Sequence, residues 1–246
     1  EKRFGHLEYD PGSTFAEKPR SLFGIHAQKQ VGQYFAGIHV PIGRLTAEDL
    51  QDLSEVSKKY GSGEIRLTED QNIVIVNIKS ENIEEFKNDS LILRFPLKPL
   101  PIAAGTVSCT GNTYCSFALT NTKDIALEIS KELDSEISLS EEVKIHWTGC
   151  PNSCGQAYMG AIGLTGKKAR NKKGEMVDAY DISLGGSQGE QKSIGKLEYK
   201  AIPSSEIKKL LKKILIEQYS GKKKRKYFFS RLIAGFSRYL RGSNSS

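Results

Sequence analysis

Cys109-Thr-Gly-Asn-Thr-Tyr-Cys115 and Cys150-Pro-Asn-Ser-Cys154 hold every cysteine of this 246-residue chain. A chain that spends its whole thiol content in two close pairs usually binds a metal centre, the bland alternative being buried free thiols. Disulfides suit a short secreted chain, and neither the length nor an N-terminal signal pattern has that form here. Five residues separate the first pair and three the second. Structural zinc takes its ligands from short knuckles of two to four intervening residues, tighter than the first gap. Sets of four thiolates also hold iron–sulfur clusters, whose inorganic core is larger than one ion. The spacing by itself leaves a Cys₄ zinc site and a [4Fe–4S] cluster both open.

The flanks of the two pairs follow one pattern of strand, tight loop and cysteines. Residues 103–108 read as a strand that delivers Cys109 at its end, and Cys115 opens a helical stripe through Ala118, Leu119, Ile125, Ala126, Ile129 and Leu133. Residues 143–147 read as another strand, Thr148-Gly149 turns the chain into the second pair, and a strand over 161–164 follows. Gly111, Gly149 and Gly155 let backbone approach backbone closely. The N–H groups of such loops can bond cluster sulfurs and tune their potential.

Upstream, residues 31–40 read as a strand closed by Pro41-Ile42-Gly43. Thr46 and Asp49 make a capping-box variant, with Leu50, Leu53, Val56 and Ser57 at helical spacing before Tyr60-Gly61 stops the helix. Short β-rich runs over 64–68 and 72–78 and a short helix over 82–88 complete a β-α-β-β-α order, that of a ferredoxin-like half. Downstream come a proline-bearing connector over 91–104, a polar loop over 167–174 and a strand over 179–184. A last helix is capped by Ser204 or Ser205, with an apolar stripe of Ile207, Leu210, Leu211, Ile214 and Leu215. The expected class is α+β, a ferredoxin-like half-domain followed by a mixed α/β domain. The expected divisions are an arm over 1–20, the half-domain over 21–95, the cysteine-bearing domain over 96–220 and a tail over 221–246.

The net charge of +7 belongs to that tail. Eight of the 36 Lys and Arg residues fall within 221–246 against no acid, which leaves 28 basic and 29 acidic residues before it. The body is nearly neutral, so nothing in it suggests a nucleic-acid partner. The tail joins Lys222 to Lys226 with Tyr227, Phe228, Phe229, Leu232, Ile233, Phe236, Tyr239 and Leu240. That composition suits a membrane surface or an acidic partner, and equally a helix packed on the body. No run approaches the roughly 20 apolar residues that span a bilayer.

Ile145-His-Trp-Thr-Gly-Cys-Pro-Asn-Ser-Cys-Gly-Gln156 resembles the second cluster motif of the sirohaem-dependent nitrite and sulfite reductases, and Cys109 to Cys115 resembles the first. Gly24-Ile-His-Ala-Gln-Lys-Gln30, Val40-Pro-Ile-Gly-Arg-Leu45 and Tyr60-Gly-Ser-Gly-Glu-Ile-Arg-Leu-Thr68, with Gln71-Asn72, resemble that family's second ferredoxin-like half. The resemblance implies that Cys109, Cys115, Cys150 and Cys154 bind one [4Fe–4S] cluster and that Cys154 also bridges to the sirohaem iron. It sets Asn152 against both groups, and Gln28, Lys29 and Gln30 near the sirohaem carboxylates. Arg66, Thr68, Gln71 and Asn72 become a cofactor-facing polar set.

The activity it implies is six-electron reduction of nitrite to ammonium, with reduced ferredoxin as donor. Sulfite reduction to sulfide is the alternative. Sulfite reductases tend to carry an apolar-Pro sequence before the second cysteine, which this chain lacks. A non-catalytic iron–sulfur electron-transfer subunit is the rival from another class. The compartment implied is the cytoplasm, or the plastid stroma in a eukaryote. Only the second half of the family's pseudo-twofold pattern is matched, and the cations that grip substrate lie chiefly in the first. The resemblance therefore implies a first half in the same or another polypeptide. His26, His39 and His146 read as satisfied core histidines, while Lys123 and Arg44 fit a cofactor contact and a solvent-facing position equally.

Overall fold

The computed structural model describes residues 22–188 and 192–223. The expected arm over 1–20 and the tail beyond residue 223 lie outside the described residues.

The first sheet is antiparallel. It is built from β1 (Gly24–Ala27), β2 (Gln33–Ile38), β3 (Ile65–Leu67) and β4 (Ile73–Lys79) in the order β1-β2-β4-β3. Helix α1 (Ala47–Tyr60) connects β2 to β3, and β4 lies between those two strands, the split βαβ arrangement expected from the sequence. The capping box is present: Thr46 Oγ1 accepts from the Asp49 N–H at 3.1 Å and Asp49 Oδ2 from the Thr46 N–H at 2.9 Å. Buried Asp49 also receives Arg94 at 2.9 Å. Leu53, Val56, Tyr60, Ile73, Ile75, Ile78 and Phe86 fill the core beneath this sheet, with Phe86 supplied by α2 (Ile83–Lys87).

The region expected to be a connector instead contains two short helices, α3 (Ser90–Arg94) and α4 (Pro101–Gly105). Proline punctuates this stretch without unwinding it. Pro101 opens α4 at a position where a helix needs no N–H. The strand expected from residue 103 is thereby shortened to β5 (Thr106–Ser108).

The second sheet also contains β7 (Ile145–Thr148), β8 (Ile162–Arg170), β9 (Met176–Leu184) and β10 (Lys196–Pro203). Its order is β10-β9-β8-β7-β5. The β5, β7 and β8 strands are parallel, while β9 and β10 run antiparallel to their neighbours. Helix α5 (Lys123–Glu136) crosses from β5 to β7 by way of the two-residue β6 (Ile137–Ser138). Helix α6 (Ser204–Gln218) follows β10, and β11 (Lys222–Lys223) pairs with β6. Trp147, Tyr180, Ile162, Leu164, Leu133, Leu211 and Leu215 occupy this core, with Trp147 and Tyr180 edge-to-face at 5.3 Å. No helix among the described residues is long and apolar enough to cross a membrane.

Three expectations change in this half. The stretch 167–174 is mostly hairpin, since Lys167 pairs with Ala179 and the ladder runs to Arg170 opposite Met176. Its strands look polar because cross-strand ion pairs, Lys167–Asp181 and Lys168–Asp178, occupy their exposed faces. Neither Ser204 nor Ser205 caps α6, which starts after Pro203 with no side-chain cap. Helix α5 begins at Lys123 rather than at Cys115.

The two sheets meet through His39 and Ile42. Ile42 has φ +48°, a conformation that a β-branched residue enters only under strain, and its side chain is buried in the second core. His39 donates Nε2–H to the Ala103 carbonyl at 3.1 Å, and burial pushes its pKa down to about 4. In the unfolded chain the imidazole takes up its proton near the ordinary value of 6.5, whereas the fold keeps it neutral to about 4. The unfolded state thus binds more protons between those values, and stability falls as pH is lowered through that window. Urea unfolding at pH 7 and pH 5 should show His39 costing about 2 kcal/mol over that interval. His39→Gln, which keeps a donor and cannot be protonated, should remove that share; an equal fall in both proteins would contradict it.

Candidate functional site

Because β5 and β7 are parallel neighbours, with Ser108 opposite Trp147, their C-terminal ends open at the same edge of the sheet. Cys109 follows β5 directly and Cys150 lies two residues beyond β7. The Cys109 N–H continues the ladder to the Trp147 carbonyl at 3.0 Å. The Gly149 N–H donates to Cys109 Sγ at 3.2 Å, so one thiol already receives a backbone donor. Thr122 donates its hydroxyl to the Cys109 carbonyl at 2.6 Å.

The segment after Cys115 is not helical because its backbone is engaged by both cysteine loops. The Leu119 N–H donates to the Gly149 carbonyl at 2.8 Å, and Thr120 O accepts from the Asn112 N–H at 3.1 Å. A helix through these residues would take both groups for itself. Gly111, at φ +68°, permits the turn that brings this segment back. In the second loop, Ser153 and Gln156 adopt φ near +54° and +55°. His146 donates Nδ1–H to the Gln156 carbonyl at 3.1 Å, while its buried Nε2 has no hydrogen-bond partner among the described residues. His26, by contrast, bonds the Phe23 carbonyl at 2.9 Å and stacks on Phe35.

All four cysteines are free and line one open cleft of about 850 Å³. Cys150 is buried, Cys109 and Cys115 are half-buried, and Cys154 is exposed. Among the described residues, no three His, Cys, Asp or Glu side chains converge as ligands of a single ion. The four thiols are the donors that this cleft offers to a metal centre.

Asn152 and Gln71 line the cleft with them. Gln71, at φ +64°, donates Nε2–H to the Ser108 carbonyl at 2.8 Å and covers the free edge of β5. Thr68 and Asn72 stand behind that turn. Thr68 Oγ1 accepts from the Asn72 N–H at 3.0 Å, and buried Asn72 accepts from the Val40 N–H at 3.0 Å. Arg66 is exposed on β3 and paired with Glu64 at 2.7 Å. Gln28 is locked to Asn77 by two hydrogen bonds of 2.9 and 2.7 Å, with Lys29 and Gln30 exposed in the turn after β1. Gln28, Lys29, Gln30, Arg66, Thr68 and Asn72 are not part of the cleft lining.

Lys123, which the sequence left undecided, does line it. Its ammonium donates to the Ile42 carbonyl and to Gln71 Oε1, the latter at 3.4 Å. Burial, and then the neighbouring Arg44, push its pKa down to about 8. Arg44 itself is outside the lining and paired with Asp124 at 2.7 Å. Tyr114 and Ser116 also face the cleft and gave no sequence signal beyond standing beside Cys115.

Residues 26–90 match the family described as nitrite/sulfite reductase ferredoxin-like half domain, and residues 104–232 match nitrite and sulphite reductase 4Fe-4S domain. A ferredoxin–nitrite reductase of Synechococcus elongatus is 44% identical over 82% of this chain and 39% of its own length. The chloroplastic ferredoxin–nitrite reductase of rice (Oryza sativa subsp. japonica) is 39% identical over 82% of this chain and 34% of its own. An assimilatory ferredoxin-dependent nitrite reductase of Haloferax mediterranei is 36% identical, with 81% and 34% covered. The chain thus spans well under half the length of these relatives. The structure of the Mycobacterium tuberculosis NirA protein shares the fold, with a TM-score of 0.75 at 22% identity over 82% of this chain and 38% of that one.

Gly155 is the tightest backbone approach at the cysteines. A Cβ there would stand 2.1 Å from the Trp147 carbonyl oxygen and 3.3 Å from the Cys109 nitrogen. Gly155→Ala should force the second loop off β7, lower the unfolding free energy by about 1–3 kcal/mol and reduce metal retained per chain. Full metal content with an unchanged denaturation midpoint would contradict that packing account.

Proposed function

The chain belongs to the nitrite and sulphite reductase family, and from that premise we propose that it forms the cluster-bearing half of a ferredoxin-dependent enzyme reducing nitrite to ammonium. The observation that carries this is that four free cysteines line one cleft. Their chemistry fits a [4Fe–4S] cluster: four free thiols line one cleft, with a backbone N–H already directed at one sulfur. When bound, the cluster and a sirohaem supply the electron store and the open iron at which NO₂⁻ takes up six electrons and eight protons to give NH₄⁺ and two waters.

The chain's own residues hold and orient. Cys109, Cys115, Cys150 and Cys154 are the cluster ligands. The exposure of Cys154 supports its second role as the bridge toward the sirohaem iron, and Cys150 is the buried thiol of the set. Asn152, exposed between the last two cysteines, offers an amide to both groups. Gln71 joins it from across the cleft. We assign Gln28, Lys29 and Gln30 to the sirohaem carboxylates and Arg66 to the cofactor-facing polar set, while Thr68 and Asn72 brace the turn that carries Gln71. The boundaries adopted are 21–95 for the half-domain, 96–220 for the cluster and sirohaem domain and 221–246 for the basic tail; the separate cores under the two sheets support the first division.

The names of the relatives support nitrite over sulfite, and reduced ferredoxin as donor. The length those relatives have in excess of this chain is where we assign the cations that grip the anion. Purified holoprotein, in the chain or assembly that completes it, should show a sirohaem absorption band and yield ammonium from nitrite. Sulfide from sulfite without ammonium would move the substrate assignment, and a cluster without a sirohaem band would leave an electron-transfer subunit. Cys154→Ser should abolish haem–cluster coupling while the other three cysteines remain; unchanged six-electron turnover would refute the bridge.

A further inference from the structure

Lys123 is, thiols aside, the one ionisable cation or carboxylate among the described side chains that line the cysteine cleft. Its ammonium is held by two neutral acceptors, the Ile42 carbonyl and Gln71 Oε1. The strained turn at Ile42 fixes the first acceptor. The adjoining carboxylate of Asp124 is engaged by Arg44, at 2.7 Å, and by Asn121, at 2.8 Å. Among the described residues no salt bridge engages Lys123, so its charge stands in the cleft uncompensated by a carboxylate. Burial and then Arg44 disfavour that charge, while Cys109, which lines the same cleft, favours it.

We propose that Lys123 sets the reduction potential of the [4Fe–4S] cluster by holding an uncompensated ammonium beside its thiolates. This rests on the cluster assignment above and goes beyond it. One-electron reduction adds one negative charge to the cleft. A fixed cation stabilises the reduced form more than the oxidised form, and partial burial limits screening by water and salt. Lys123 therefore raises the potential and eases electron acceptance from a low-potential donor, without transferring a proton or touching substrate. It is a positioning residue for charge.

The test is a mediator-poised potentiometric titration of the holoprotein, in the chain or assembly in which it occurs, read by the electron paramagnetic resonance of the reduced cluster. Lys123→Met removes the charge. Lys123→Gln removes it while keeping a donor for the Ile42 carbonyl, should the first variant fail to load. Lys123→Arg retains the charge. Both neutral variants should lose at least tenfold in affinity for the electron, a lowering of about 59 mV for a one-electron couple, with iron and sulfide content unchanged. The arginine variant should stay near the parent. An unchanged midpoint in a fully loaded neutral variant, or an equal fall in the arginine variant, overturns the inference and leaves the cluster assignment standing. Parent protein with no iron–sulfur signal overturns both.

Discussion

The parallel pairing of β5 with β7 is the constraint on which the site depends. Two cysteine loops separated by more than thirty residues become neighbours because the strands before them end at one edge. The pairing also fixes the direction of the crossover through α5, so the chain must return beneath the sheet before it can present the second loop. Short as they are, the strands continue into the loops. The Cys109 N–H extends the ladder, the Gly149 N–H reaches Cys109 Sγ, and the Leu119 N–H closes on Gly149 O. Backbone hydrogen bonding thus holds the two cysteine loops together at one edge of the sheet.

A second constraint joins this sheet to the first. Because β5 is an edge strand, its free groups need cover, and the Gln71 side chain supplies it by bonding both Ser108 O and, at 3.4 Å, Ser108 N. Ile42 inserts an apolar side chain into the other core, a burial worth about 1.5–3 kcal/mol that offsets the cost of its positive φ. The exposed Arg44–Asp124 pair adds little to this junction. The same two segments that weld the sheets together carry the neutral oxygens that hold Lys123. Cleft electrostatics and the packing of the two halves therefore share residues.

Local chemistry makes much of this fold legible in the amino-acid order. The capping box at Thr46 and Asp49 announces α1 by itself, and the succession of apolar runs over 31–90 announces the split βαβ half. What escapes such a reading is set by tertiary contacts. Residues 115–122 carry helical periodicity, but the two cysteine loops take their backbone groups, so α5 waits until Lys123. The exposed faces of β8 and β9 are charged in complementary pairs, which hides a hairpin behind loop composition. Strand β10 is irregular, with register shifts and Ala201 at φ +55°, and leaves no alternating pattern to find. At the site, cysteine type and spacing point to the thiols. Lys123 carries no such pattern, because its place in the cleft comes from a distant strained turn at Ile42.

On the proposed function, the four cysteines hold one [4Fe–4S] cluster rather than a single ion. Quantifying iron, acid-labile sulfide and zinc in the anaerobically purified holoprotein tests it most directly. Four irons and four sulfides per chain with negligible zinc is the predicted result; one zinc per chain with no labile sulfide would contradict it.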